Sequence, residues 1–571
     1  MAVSTISGST SSTSGTSTAS TSSSASSVTG LDYSALVAAA VAAKEARADT
    51  IDSEITDNET KISAYENFQT LLNTLATAAE ALSNPVDSST TNLFSERTAY
   101  LSGGSSSVSA SDMLGVSVDD GTATGTHTVV IKQLATAEKL GSATQTSQTG
   151  ALNLSGTFTL GLADGSTATI SVASTDSLKD IAAAINKQTS STDVSASIIQ
   201  VSDGAYELVL TANDTGKAIE FTNDSSGIMT SLGVTNSDGS YADELTAAQG
   251  SEIEVDGIDI QRTSNVISDV LSGVTLDLYS SDYDSSTGTG STITMELTAN
   301  LSAIKSGIST FVTAYNAVRN FISTQQATAT DGSPASSAVL FADSQVRSIS
   351  TALQNALNLT DGTYSISSLG LSFNSDNTLA IDSTTLDSAL SDNLDDLETL
   401  LGFNYSTSST ELSMLRSPDS TDSLNFNLDI TMNDDGSIAS AGVGGDTSLF
   451  TISGTRIIGN DGTPYAGMTL VYLGSQSQTV SVSTNSGLAD LIYNTSDSAG
   501  DTDSGTLQNQ IDTLTDYDTD LTSKADDIRS QAEAYGTQLA TYYAQLEAQA
   551  QTAATLLKTL KAYSDASNSS S

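Results

Sequence analysis

The chain has 571 residues, 67 acidic against 19 basic, for a formal net charge of −48; it contains no Cys, no Trp and 4 Pro. Phosphate and anionic-lipid contacts need clustered Lys and Arg, and here these are few and scattered, so neither nucleic acid nor membrane is an expected partner. Disulfides, thiolate nucleophiles and thiolate metal sites are excluded together, and the length suits about three or four domains.

Residues 1–28 are almost entirely Ser, Thr, Gly and Ala. Such a segment cannot bury enough apolar surface to offset its ordering entropy, and a disordered head is predicted. It has no Lys or Arg and no apolar core, so no cleavable signal peptide is expected. The longest clean apolar run, residues 36–43, is well short of the ~20 residues of a membrane span. The chain therefore stays in the cytoplasm or leaves by a route that reads an uncleaved N-terminus.

Residues 31–82 follow a proline-free helical period, with Ile51, Ile55, Ile62, Tyr65, Phe68, Leu72, Leu75, Ala79 and Leu82 on one face and Asp32 as N-cap. The opening of this helix, with Leu31, Leu36, Val37 and Val41, is alanine-rich and marginal alone, so it should order on assembly. After Asn84-Pro85 the period shortens to that of strands, at 126–131, 158–162, 167–172, 194–201 and 207–211. One helix interrupts them, with Leu178, Ile181 and Ile185 on one face. This reads as α+β modules rather than a parallel α/β domain.

The helical period returns through Ile304, Ile308, Phe311, Tyr315, Val318 and Ile322, and again over 339–357. Residues 362–401 read as a short β pattern and one helix over Leu386, Leu390, Leu394, Leu397 and Leu401. Residues 410–486 are β-rich, with strands at 426–432, 449–452 and 468–473, and a Ser-, Asp- and Gly-rich linker follows.

The last helical pattern runs from 507 to 563. Apolar steps of three and four pass through Leu514, Leu521, Ile528, Tyr535 and Leu539 to Leu556, Leu557, Leu560 and Tyr563. They average close to 3.5 residues, the period of a coiled-coil seam. At about 1.5 Å per residue the rod is roughly 85 Å long and needs a partner. The first helix supplies one. The expected fold is α+β, with a long antiparallel coiled-coil stem of the N- and C-terminal helices and inserted β-rich modules. Its seam comprises Ile51, Ile55, Ile62, Tyr65, Leu72, Leu514, Leu521, Ile528, Tyr535 and Leu539. The alternative is two helices packed in separate bundles.

No chemistry stands out. His127 is the single histidine and lies in an alternating strand without a nucleophile-elbow sequence. The acidic clusters at 282–284, 434–435, 501–503 and 516–520 lack the Gly and closing Glu of a calcium loop. No catalytic residue, cofactor or metal site is predicted, and the chain is read as a non-enzyme.

Four stretches carry a family resemblance. They are Gly30-Leu31-Asp32-Tyr33-Ser34-Ala35-Leu36-Val37 with Lys61-Ile62-Ser63-Ala64-Tyr65; Ser177-Leu178-Lys179-Asp180-Ile181 with Leu208-Val209-Leu210-Thr211-Ala212-Asn213-Asp214; Val255-Asp256-Gly257-Ile258 with Asn265-Val266-Ile267-Ser268-Asp269-Val270-Leu271; and Phe311-Val312-Thr313-Ala314-Tyr315-Asn316. In that order they resemble the filament cap protein of bacterial flagella, the hook-associated protein 2 or FliD family. The likeness runs from about residue 29 to 563. The long head, the alanine-rich first helix and the enlarged 410–486 stretch depart from it.

The resemblance implies an extracellular assembly factor at the filament tip, exported without a cleavable signal peptide and possessing no enzymatic activity. Its partners would be flagellin subunits, hook–filament junction proteins, an export chaperone and itself, as a closed pentameric or hexameric ring. Leu31, Leu36, Val37, Val41, Leu556, Leu557, Leu560 and Tyr563 would meet the filament. The implied plan is a head (1–28); terminal helices disordered until assembly (29–50 and 540–571); a helical stem (51–115, 299–409 and 500–539); a β-rich plate (116–140 and 246–298); a hook-associated module (141–245); and a β-rich insertion (410–499). A secreted adhesin for host glycans or mucus, and another flagellin-like junction protein, are the competing readings.

Overall fold

The computed structural model of the chain describes residues 32–83, 92–105, 108–360, 364–419 and 422–568. The predicted head and Leu31 lie outside the described residues. The chain divides into two compact units, one of Met1–Thr74, Ala317–Thr351 and Thr495–Ser571, the other of Leu75–Asn316 and Ala352–Asn494. The architecture mixes long helices with several small antiparallel sheets.

The second unit holds three β bodies. The first uses β1 (Arg97–Gly103), β2 (Leu114–Val118), β3 (Gly125–Gln133), β4 (Ser251–Val255), β5 (Ile258–Arg262), β6 (Val266–Leu271), β7 (Val274–Leu278) and β8 (Ile293–Ala299). They form one sheet in the order β1-β8-β3-β4-β5 and another in the order β6-β7-β2. β4 and β7 alternate buried and half-buried residues, the mark of strands with one covered face. Val129, Ile131, Ile253, Val255, Ile267, Leu276 and Met295 meet in the core. Asp256 and Gly257, with φ of 49° and 81°, make the two-residue turn between β4 and β5.

His127, on β3, reaches that turn. Its Nδ1 lies 2.7 Å from Asp256 Oδ2, and Asp256 Oδ1 accepts the Thr128 N–H at 2.8 Å. The His127 ring, then the Thr128 amide, holds the Asp256 carboxyl below its usual range.

The second body pairs a four-stranded and a three-stranded sheet around α2 (Leu178–Asn186). The helix starts where it does because Ser177 and Asp180 form a capping box: Asp180 N–H donates to Ser177 Oγ, and the Asp180 carboxylate accepts the Ser177 N–H. Leu178, Ile181 and Ile185 are buried, as their spacing predicts.

The third body contains β9 (Asn404–Thr407), β10 (Leu412–Arg416), β11 (Leu424–Met432), β12 (Ile438–Val443), β13 (Phe450–Ser453), β14 (Arg456–Gly459), β15 (Thr469–Tyr472) and β16 (Gln478–Asn485). Its sheets run β9-β16-β11-β12 and β10-β15-β14-β13. The rings of Phe426, Phe450 and Tyr465 cluster in its core. β9 and β16 are hydrogen-bonded neighbours, with Asn404 opposite Asn485.

Three local expectations change. The helix read over Leu386 to Leu401 is two helices, Ser383–Asp392 and Leu394–Leu401, because Asn393 leaves the helical region at φ −140°, ψ 36°. The break lets Leu386, Leu390, Leu397, Leu400 and Leu401 all be buried. The segment read as a linker before the last helix is helical over Leu488–Gly500, where Leu488, Ala489 and Ile492 are buried. The helical period read from residue 339 becomes helix only at Ser344, where Asp343 Oδ1 accepts the N–H groups of Gln345 and Val346.

The first unit is helical. It takes most of α1 (Tyr33–Ser83), the end of α3 (Leu301–Gln325), the start of α4 (Ser344–Leu357) and all of α5 (Thr506–Asn568). Asp32 caps α1, accepting the Ser34 and Ala35 N–H groups at 3.1 Å. Phe68 of α1 stacks on Phe321 of α3 with centroids 4.8 Å apart. The Tyr65 hydroxyl donates to Asp343 Oδ2 at 2.7 Å, and burial together with that carboxylate pushes the phenol up. The loop before α4 is thereby tied to α1.

Candidate functional site: the terminal helices

α1 and α5 run side by side in opposite directions. Gln69 donates to Gln508 at 3.2 Å and Asn58 to Asp518 at 2.7 Å; Tyr517 donates to Glu54 at 2.8 Å, and Asp52 pairs with Arg529. Lys44 Nζ lies 4.6 Å from the Tyr535 ring centroid, and Tyr33 stacks on Tyr543 at 4.9 Å. As numbers fall along α1 they rise along α5.

The predicted seam residues differ in depth. Tyr65, Leu72 and Leu521 are buried, whereas Ile51, Ile55, Ile62, Leu514, Ile528 and Leu539 are half-buried. Tyr535 is 39% exposed and offers its ring face to Lys44, so it flanks the seam instead of filling it. The deepest positions toward the ends are small: Ala48, Ala525, Ala532 and Gly536 are all buried. A Cβ on Gly536 would lie 2.5 Å from Val41 Cγ2, so the backbones approach closely there.

The residues predicted to meet a filament separate into two groups. Val37 and Val41 are half-buried, Val41 against Gly536, while Leu36 is exposed. α5 continues for 25 residues past Tyr543, about 37 Å at the helical rise. On that extension Leu556, Leu557, Leu560 and Tyr563 are 59%, 68%, 67% and 80% exposed. The extension is neutral, with Glu547 and Asp565 balancing Lys558 and Lys561, whereas residues 506–539 carry seven acids and two bases. The least charged part of α5 is thus its most exposed apolar part.

Sequence reasoning did not single out Asn58, Asp518 or Gly536. Asn58 and Asp518 sit at seam spacing, one turn from Ile55 and Leu521, and a search for polar residues at apolar positions would have found them.

Comparison with known proteins places the chain in a family. Residues 29–138 match the profile of the flagellar hook-associated protein 2 N-terminus, 248–554 that of its C-terminus, and 157–214 the flagellin hook IN motif. The B-type flagellar hook-associated protein 2 of Pseudomonas aeruginosa is 29% identical over 384 residues, 63% of this chain and 76% of the relative. Flagellar hook-associated protein 2 of Escherichia coli strain K12 is 30% identical over 380 residues, again 63% and 76%. Among solved structures, the D1-D2-D3 domains of the E. coli flagellar cap protein FliD align at 27% identity and TM-score 0.45, covering 60% of this chain and 89% of that one. The matches define a flagellar hook-associated protein. The chain belongs to the flagellar hook-associated protein 2 family.

Proposed function

We propose that this chain caps the growing flagellar filament outside the cell and promotes polymerisation of exported flagellin, as a structural factor and not an enzyme. Family membership supports the reading, and one observation carries it to residues: the exposed stripe of Leu556, Leu557, Leu560 and Tyr563 on a neutral stretch of α5. An apolar face of that kind is suited to burial in a groove between partner helices. The partners are flagellin or junction-protein termini, with Leu36, Val37 and Val41 contributing from α1 and Leu31 from the sequence before it. In this reading α1 and α5 form an antiparallel coiled-coil stem, 116–140 with 246–298 forms the plate, 141–245 is the hook-associated module, and 410–499 is a β-rich insertion. Copies associate head to tail into a closed ring of five or six. An export chaperone holds the chain before it threads the flagellar channel, which a chain without disulfides can do. Among the described residues no helix is long and apolar enough to cross a membrane.

Truncation after Gln549 tests the assignment. Cells carrying it should release flagellin monomer into the medium and bear few or no filaments, while deletion of 410–486 should be milder. Normal filaments after the C-terminal truncation, with surface attachment lost on removing a β body, would establish an adhesin instead.

A further inference from the structure

The seam between α1 and α5 carries a buried polar layer whose carboxylate is incompletely hydrogen-bonded. The layer lies between Ile55 and Ile62 on one helix and between Leu514 and Leu521 on the other. Asn58 Nδ2 donates to Asp518 Oδ1 at 2.7 Å, both side chains are buried, and Asp518 Oδ2 is buried with no hydrogen-bond partner. A carboxylate enclosed with one neutral donor is poorly compensated for its lost hydration, so the layer is a weak point.

The two sides of the layer are built differently. On the root side Tyr65, Phe68, Leu72, Leu507 and Ile511 are buried, and Phe68 stacks on Phe321. On the tip side the buried hydrophobic residues are Ala48, Leu521, Ala525 and Ala532, one leucine among three alanines. The Asp52–Arg529 pair that crosses there is partly exposed, and the Glu54–Tyr517 bond beside the layer is exposed.

We propose that the Asn58–Asp518 layer is a break point, tip-ward of which α1 and α5 open as one unit while the root stays closed. Opening there separates the Tyr33–Tyr543 stack but uncovers fewer fully buried large side chains, and it returns a buried carboxylate to water. Opening the root would uncover the buried Tyr65, Leu72, Leu507 and Ile511. The terminal helices thereby have a paired state and an open one, with the boundary set by two side chains.

Hydrogen-exchange mass spectrometry on the full chain tests this. Amides of 36–55 and 521–540 should exchange at least tenfold faster than those of 62–74 and 507–515, with the step at the layer. Asn58→Leu with Asp518→Leu should slow the tip-side amides at least tenfold and leave the root unchanged. Absence of the step, or a step that persists in this variant, overturns the proposal. So does loss of helical circular dichroism in the variant, because the layer would then be a net support. Val41→Cys with Gly536→Cys gives a second measurement: a Cβ at 536 lies 4.0 Å from Val41 Cβ, within disulfide range, and the chain has no other cysteine. The oxidised form should lose the step and the reduced form regain it. Failure to cross-link, or a step that survives oxidation, also overturns the proposal.

Discussion

Gly536 faces Val41 across the helix pair so closely that an added Cβ would sit 2.5 Å from Val41 Cγ2. Two effects then oppose each other at this position. Alanine gains about 1 kcal/mol of helix propensity over glycine, whereas overpacking a tight contact costs about 1–3 kcal/mol. Val41 cannot easily yield, because a β-branched side chain in a helix is held to one rotamer. Gly536→Ala should therefore loosen the outer helix pair, and the same change in a Val41→Ala background should be neutral or stabilising. Thermal melts of the four proteins check the sign reversal.

Depth, not periodicity, should rank substitutions along α5. Leu521 is buried and Tyr535 is 39% exposed, although both fall on the same heptad stripe. Leu521→Ala should destabilise the first unit by about 2–5 kcal/mol, the range of buried Leu-to-Ala changes. Tyr535→Ala should cost about 1 kcal/mol or less, the worth of an exposed cation–π contact. Urea unfolding followed by helical circular dichroism distinguishes the two, and equal effects would show that Tyr535 is a core residue.

Two sets of carboxyls give opposite pH dependence. Asp238, Asp331 and Asp435 each accept the N–H and hydroxyl of the Ser two residues on, at 3.0 and 2.6 Å, and these bonds lower their pKa below 3.8. A depressed folded pKa means stability that is present above pH 3.8 and lost as pH falls through the lower folded value. Asp490 is buried, and that burial raises its pKa despite bonds to Ser486 and Asn494. The ionised form is then the costly one, so Asp490→Asn should stabilise the second unit at neutral pH. Its advantage should shrink as pH falls through the raised pKa toward 3.8. Denaturant midpoints at pH 3, 5 and 7 read both slopes.

Salt should favour the assembled state. A subunit with a net charge of −48 repels its copies, and exposed charges are screened beyond about 10 Å at 0.1 M salt. Raising NaCl from about 20 to 500 mM, which shortens the screening length about fivefold, from about 20 Å to about 4 Å, should increase the oligomeric fraction in sedimentation velocity. A fall in that fraction would mean that opposite charges dominate the contact between copies.

The long helices were legible because their apolar steps persist for many turns, and their structural limits lie within a few residues of the predicted ones. Strands such as β3 and β11 were legible from alternation and bounding turn residues. What the pattern could not supply was depth. Steps of three and four place Leu514, Ile528 and Tyr535 on one face, but only the partner decides that Leu521 and the small Ala525, Ala532 and Gly536 lie deepest. The stop at Asn393 was missed because one polar residue does not interrupt a leucine period. The 488–500 helix was missed because its Ser, Asp and Gly content outweighed Leu488, Ala489 and Ile492. At the tip, the stripe from Leu556 to Tyr563 was legible and the polar layer was not, since apolar periodicity passes over Asn58 and Asp518.

The third β body joins the rest of the chain through strands that are immediate neighbours, Asn404 opposite Asn485. Its two points of attachment are therefore only about 5 Å apart, the spacing of paired strands. A segment hung from such a narrow gate can grow, shrink or be exchanged for a foreign domain with close ends, while the strands and helices on either side keep their places. Selection for new surface properties can act on this appendage without disturbing the parts that must fit a lattice. A fluorescent or epitope domain spliced between these strands would report on the protein in living cells.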